Sequence, residues 1–108
     1  MKVAIASSGK SLSSSVDRRF GRAPYFIIYD TDTDNWEVLD NSHKSMAQGV
    51  GPKTAELIAS KGVEYLLVGH CGPNAFRALQ SAGIKVITGA SGTITDAINK
   101  LKKGELET

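Results

Sequence analysis

Apolar residues fall along this chain in two rhythms, and the rhythm changes near its middle. In the first half the apolar runs are short. Residues 3–6, Val-Ala-Ile-Ala, read as a short buried strand. Tyr25-Phe26-Ile27-Ile28-Tyr29 is aromatic and β-branched with Pro24 just before it, and predicts a second strand. Residues 36–39 predict a third. The linking Asp30-Thr31-Asp32-Thr33-Asp34-Asn35 suits a tight turn, because Asp and Asn side chains bond their own backbone. These two strands should pair as an antiparallel hairpin.

The second half alternates helix and strand. Pro52 fits the first turn of a helix, and Ala55, Ile58 and Ala59 give that helix an apolar face that ends at Gly62. Residues 65–68 are a continuous apolar strand, as expected where both faces of a sheet are covered. Gly72-Pro73 opens a helix with Ala75, Phe76, Leu79 and Ala82 towards the core, and Gly83 closes it. Residues 84–87 form the next strand. Ile94, Ala97, Ile98 and Leu101 recur at i, i+3, i+4 and i+7, with Thr93 and Asp96 placed for a variant capping box. The order β, ββ, α, β, α, β, α predicts an α/β fold in one domain over residues 1–108. Its sheet should be mixed and five-stranded, with one antiparallel strand and helices on both faces.

Composition narrows the function classes. At 108 residues the chain can hold one core, and its 41% hydrophobic and 22% charged residues are those of an ordinary globular protein. Thirteen Lys and Arg against eleven Asp and Glu give a net charge of +2, too little for a general nucleic-acid binder. No apolar run is long enough to span a membrane, and the opening residues enter a strand without the pattern of a signal peptide. One cysteine, Cys71, cannot make an internal disulfide, which fits a reducing cytoplasm. With two histidines besides, the chain alone cannot build a closed Cys-rich zinc or iron–sulfur site.

In open α/β sheets ligands bind beyond the carboxyl ends of parallel strands. Three segments should meet on that rim: Ser7-Ser8-Gly9, Gly69-His70-Cys71-Gly72-Pro73-Asn74, and Thr88-Gly89-Ala90-Ser91-Gly92-Thr93. The last two run into helix N-termini, whose free N–H groups and positive dipole favour anions. Neither a Walker loop nor a dinucleotide fingerprint occurs. Arg18, Arg19 and Arg22 crowd into five residues around Phe20-Gly21, and arginine forks bind oxyanions and carboxylates. The plain structural alternative has Asp17 pairing with an arginine, Phe20 filling the core and Gly21 turning the chain. His70 and Cys71 end a central strand. There Cys71 is either a thiol with a lowered pKa and soft-ligand character or a small apolar filler. His43 stands alone in a polar segment after the hairpin. Asp30, Asp32 and Asp34 imitate a calcium loop, but its sixth and twelfth positions are Asn35 and Asn41.

These segments, in this order, resemble the small dinitrogenase iron–molybdenum cofactor biosynthesis domain of the NifX, NafY and NifB C-terminal type, over essentially the whole chain. The resemblance is carried by Asp17…Phe20-Gly21-Arg22-Ala23…Phe26, Gln48-Gly49-Val50-Gly51 with Ala55 and Leu57, Gly69…Gly72-Pro73-Asn74-Ala75, and Gly83-Ile84…Gly89…Gly92-Thr93. Arg19 stands where many relatives carry a histidine. The resemblance implies a ribonuclease H-like three-layer fold. It also implies a non-catalytic carrier of an iron–sulfur or iron–molybdenum cluster precursor, working with cofactor-assembly proteins. The implied cargo is anionic and sulfur-rich. Arg18, Arg19, Arg22, His43, His70, Cys71, Gly72, Asn74, Gly89, Gly92 and Thr93 are the candidates to hold it, with His70 and Cys71 as metal ligands.

Other functions compete. A phosphohydrolase would need carboxylates at the strand ends, yet residues 3–6 carry none and the nearest acids cluster between Asp30 and Asp40. An anion- or nucleotide-binding module would use the same glycine rim. A Cys71 nucleophile with a histidine base has no evident third residue to orient it.

Overall fold

The computed structural model describes residues 1–41 and 49–105. Strands β1 (Lys2–Ser7), β2 (Tyr25–Asp30) and β3 (Trp36–Asp40) precede helix α1 (Val50–Ala59). Strand β4 (Tyr65–Leu67), helix α2 (Pro73–Ser81), strand β5 (Lys85–Ile87) and helix α3 (Ile94–Lys102) follow. The five strands make one mixed open sheet in the order β3-β2-β1-β4-β5. β2 is antiparallel to both β1 and β3, whereas β1 with β4 and β4 with β5 are parallel.

Alternation along the strands divides the core into two layers, because successive side chains point to opposite faces. Ala4, Ala6, Phe26, Ile28, Leu66 and Val86 meet α1 and α2 through Ala55, Ile58, Ala75 and Leu79. Val3, Ile5, Ile27, Tyr29, Leu67 and Ile87 meet α3 through Ile94, Ala97 and Ile98. Covering both faces explains why the central strands are apolar through their middles, at residues 3–6 of β1 and 26–28 of β2. Full burial of a side chain such as Ile5, Phe26 or Leu67 contributes roughly 1.5–3 kcal/mol.

The predicted capping box is present. The Thr93 hydroxyl accepts from the Asp96 N–H at 3.1 Å, and the Asp96 carboxylate accepts from the Thr93 N–H at 3.1 Å. Two predicted core positions on α2 differ. Phe76 is 38% exposed, because it lies a full 100° around the helix from Ala75. Ala82 is exposed as the residue that ends the helix. Among the described residues no helix is long and apolar enough to cross a membrane.

Candidate functional site

The chain between β1 and β2 builds the site. After β1 it turns back and runs across the carboxyl ends of the parallel strands. The Asp17 N–H donates to the Ala6 carbonyl at 2.8 Å, the His70 N–H to the Arg18 carbonyl at 2.8 Å, and the Val16 N–H to the Gly92 carbonyl at 2.9 Å. Arg19 and His70 form a parallel bridge, so this strap extends the ladder beyond β4. Gly69 makes the approach possible. A Cβ there would lie 2.7 Å from the Arg18 Cα, closer than two carbon atoms can sit.

Beside the strap opens a cleft of about 970 Å³, at the upper end of the size range of small-ligand sites. Arg18, Arg19 and Arg22 line it together with His70, Gly72 and Asn74. These residues are therefore gathered in one place, whereas the expected third rim segment, residues 88–93, does not line the cleft. Gly89, Gly92 and Thr93 lie outside the cleft lining, and so does Cys71. His43 lies outside the described residues, as does Gln48.

The reason Thr93 stays out is visible in its bonds. The N-terminus of α3 is already occupied: Ile94 N–H donates to the Ser14 carbonyl at 2.9 Å and Thr95 N–H to the Leu12 carbonyl at 3.0 Å, while Thr93 and Asp96 cap each other. Cys71 half-faces the core layer that holds α1 and α2. Burial pushes its thiol up from the ordinary value, which favours the small apolar filler over the thiol with a lowered pKa. Loss of hydration at this position outweighs any help from the helix dipole.

Helix α1 contributes a wall that the sequence reading did not assign to the site. Gly49, Val50, Gly51 and Pro52 line the cleft opposite Gly72, Pro73, Asn74 and Ala75. The two helix starts are tightly apposed, since a Cβ on Gly51 would sit 3.0 Å from that of Ala75. Among the described residues neither start has a side-chain cap, and neither has an acid in its first turn. The signal was available in the sequence: Gly49-Val50-Gly51-Pro52 matches Gly72-Pro73 in pairing glycine with a proline near a helix start.

The arginine segment divides its labour. Phe20 is buried and packs its ring on Phe26 at 5.5 Å between centroids. Asp17 accepts from the Arg19 backbone N–H at 2.8 Å and from its guanidinium at 3.2 Å through each oxygen. Burial works to raise the Asp17 pKa, but those bonds and the guanidinium charge hold it below the usual carboxylate value. Among the described residues Asp17 is the only acid lining the cleft, and it is paired with Arg19. Apolar Val16, Phe20, Val50 and Pro73 complete the walls. Among the described residues no three His, Cys, Asp or Glu side chains converge closely enough to hold a metal ion.

Fold and cleft together define an α/β protein with a cation-rich hollow at the ends of its parallel strands. A family model for the dinitrogenase iron-molybdenum cofactor matches residues 1–104, and the chain belongs to that family. Its role is thus in cofactor assembly or carriage. The apo form of the orange protein from Desulfovibrio gigas superposes with a TM-score of 0.97 at 36% identity, covering 99% of this chain and 91% of that one. A Thermotoga protein given a provisional NifB assignment superposes with a TM-score of 0.86 at 50% identity, covering 98% and 90%. An uncharacterised protein of Methanocaldococcus jannaschii is 31% identical over 99% of this chain and 90% of its own length.

Proposed function

We propose that the cleft carries an anionic, sulfide-rich metal cluster or cluster precursor, of the iron–sulfur or iron–molybdenum class, and releases it unchanged to cofactor-assembly proteins. The observation that carries this reading is the convergence of two helix starts with Arg18, Arg22 and His70 on one cleft; among the described residues neither start has a side-chain cap and the single lining acid is already paired. Helix N–H groups and arginines attract negative charge, and the apolar walls tolerate the large, weakly hydrated surface of a sulfide cluster. His70 supplies an imidazole ligand suited to iron on the cleft wall, while the softer Cys71 is the second candidate from behind it. Among the described residues the lining holds no unpaired carboxylate, which argues for carriage over hydrolysis. The family supports the cargo class, since its model is that of the dinitrogenase iron-molybdenum cofactor, and the Thermotoga neighbour carries a NifB assignment. The same reading takes the fold as ribonuclease H-like and the setting as cytoplasmic.

The test is anaerobic addition of an iron–sulfur donor, and separately of tetrathiomolybdate, followed by gel filtration. Visible absorbance should co-elute with the protein, and His70→Ala should weaken uptake about tenfold, as expected for a lost bond to a charged group. A protein that stays colourless with both, yet is stabilised thermally by phosphate or nucleotide, would be an oxyanion-binding module and not a cluster carrier.

A further inference from the structure

Asn41 is fully buried, one residue past the end of β3, and it belongs to no wall of the cleft. Its backbone N–H donates to the Pro24 carbonyl at 3.0 Å. Its side-chain amide donates to the Gly21 carbonyl at 2.9 Å and to the Ala23 carbonyl at 2.8 Å. A primary amide has two N–H donors, and here each is matched to one carbonyl. The two carbonyls flank Arg22, which lines the cleft. On one side the loop is anchored by buried Phe20, on the other by buried Ala23. Between these anchors the Asn41 amide satisfies both carbonyls, that of Ala23 in a buried bond and that of Gly21 in a partly buried one.

We propose that Asn41 is a positioning residue: its amide fixes the backbone on both sides of Arg22 and so fixes where that guanidinium meets an anion in the cleft. The inference rests on the cargo reading above, because it gives Arg22 an anion to meet. It goes further by assigning an anion-binding consequence to a residue that is not itself in the cleft lining but bonds the backbone of one that is. The geometry requires two donors at one reach, so neither aspartate nor serine can replace the amide. Aspartate presents oxygens to two carbonyl oxygens, and serine has one donor on a shorter stem.

A double-mutant cycle read by anaerobic tetrathiomolybdate titration tests it. Asn41→Ser should weaken binding about fivefold in the presence of Arg22 and less than about twofold in an Arg22→Ala background, which is the coupling expected of residues acting as a unit. Equal losses in both backgrounds would overturn the proposal. If the unaltered protein takes up no tetrathiomolybdate, the cargo reading fails, and backbone relaxation then decides the positioning role by itself. The Arg22 N–H of the unaltered chain should be as ordered as β2, with an order parameter near ~0.85, and Asn41→Asp should lower it. An Arg22 amide already below ~0.6 in the unaltered chain would sink the proposal, whether or not either variant folds.

Discussion

Three helices begin at the same end of this sheet, and they treat their first N–H groups in two opposite ways. The start of α3 is closed: Thr93 and Asp96 cap each other, and the carbonyls of Leu12 and Ser14 take two further donors. The starts of α1 and α2 face each other across a cleft with glycine at the cap position and no capping side chain among the described residues. All three follow glycine-bearing turns, so glycine content does not separate them. What separates them is whether the protein has already spent its own acceptors on the helix end. A helix start becomes a place for an anion only when the fold leaves its donors unclaimed.

The largest expected effect comes from breaking the strap that brings the arginines to the open pair. Gly69→Ala puts a methyl group 2.7 Å from the Arg18 Cα, against backbone that cannot rotate away. The strap must lift, with loss of the His70-to-Arg18 hydrogen bond. We expect a destabilisation of about 3 kcal/mol in urea unfolding, at the upper end for overpacking, together with loss of anion uptake. Normal stability in that variant would show that the strap does not press on β4.

Next is the pH response of the same strap. The Asp17 carboxyl titrates below its ordinary value when folded, so its contribution is complete above the unfolded value and is lost as pH falls through the folded one. Because Arg19 is 64% exposed, solvent screens the pair, and Asp17→Asn should cost about 1 kcal/mol near neutrality. Its thermal midpoint should then fall less steeply than that of the unaltered chain over the acid range. Parallel acid limbs for the two proteins would remove Asp17 from the account.

Closing on the other side of the comparison, Thr93→Ala should cost about 1 kcal/mol of stability, the usual worth of an N-cap. Tetrathiomolybdate uptake should be unchanged, since Thr93 lies outside the cleft. A matching drop in uptake would mean that α3 contributes to the anion site after all.

How far the sequence foresees this arrangement depends on the length scale of the signal. The succession of strands and helices along the chain, the helix spacing of Ile94, Ala97 and Ile98, and the capping box are local patterns, and each is present. The place of His70 follows from the rule that strand ends carry ligands, whereas Arg18 and Arg22 reach the cleft through the strap that pairs with residues 69–70. The role of Asn41 does not follow from that rule, because its partners stand 20 and 18 residues away and no local pattern marks a buried amide. The division of the three helix starts is equally hidden. It turns on carbonyls of Leu12 and Ser14, backbone groups that look the same in any sequence. Phe76 misleads for a related reason: an apolar residue near a helix start satisfies a periodic pattern whether or not the sheet reaches it.

The smallest expected effect sharpens the comparison at its finest point, the adjacent pair His70 and Cys71. Sequence places them together, but the bridge with Arg19 sets His70 on the cleft wall, while Cys71 packs towards the layer of α1 and α2. Its thiol is raised by burial, so thiolate is scarce at neutral pH unless a metal displaces the proton. Cys71→Ala should therefore change tetrathiomolybdate uptake by less than about twofold, against about tenfold for His70→Ala. A cluster that draws Cys71 out of the core would reverse the order. The Cys71 variant would then lose the larger share of affinity, and loading the unaltered chain at neutral pH would release a proton that the variant does not release.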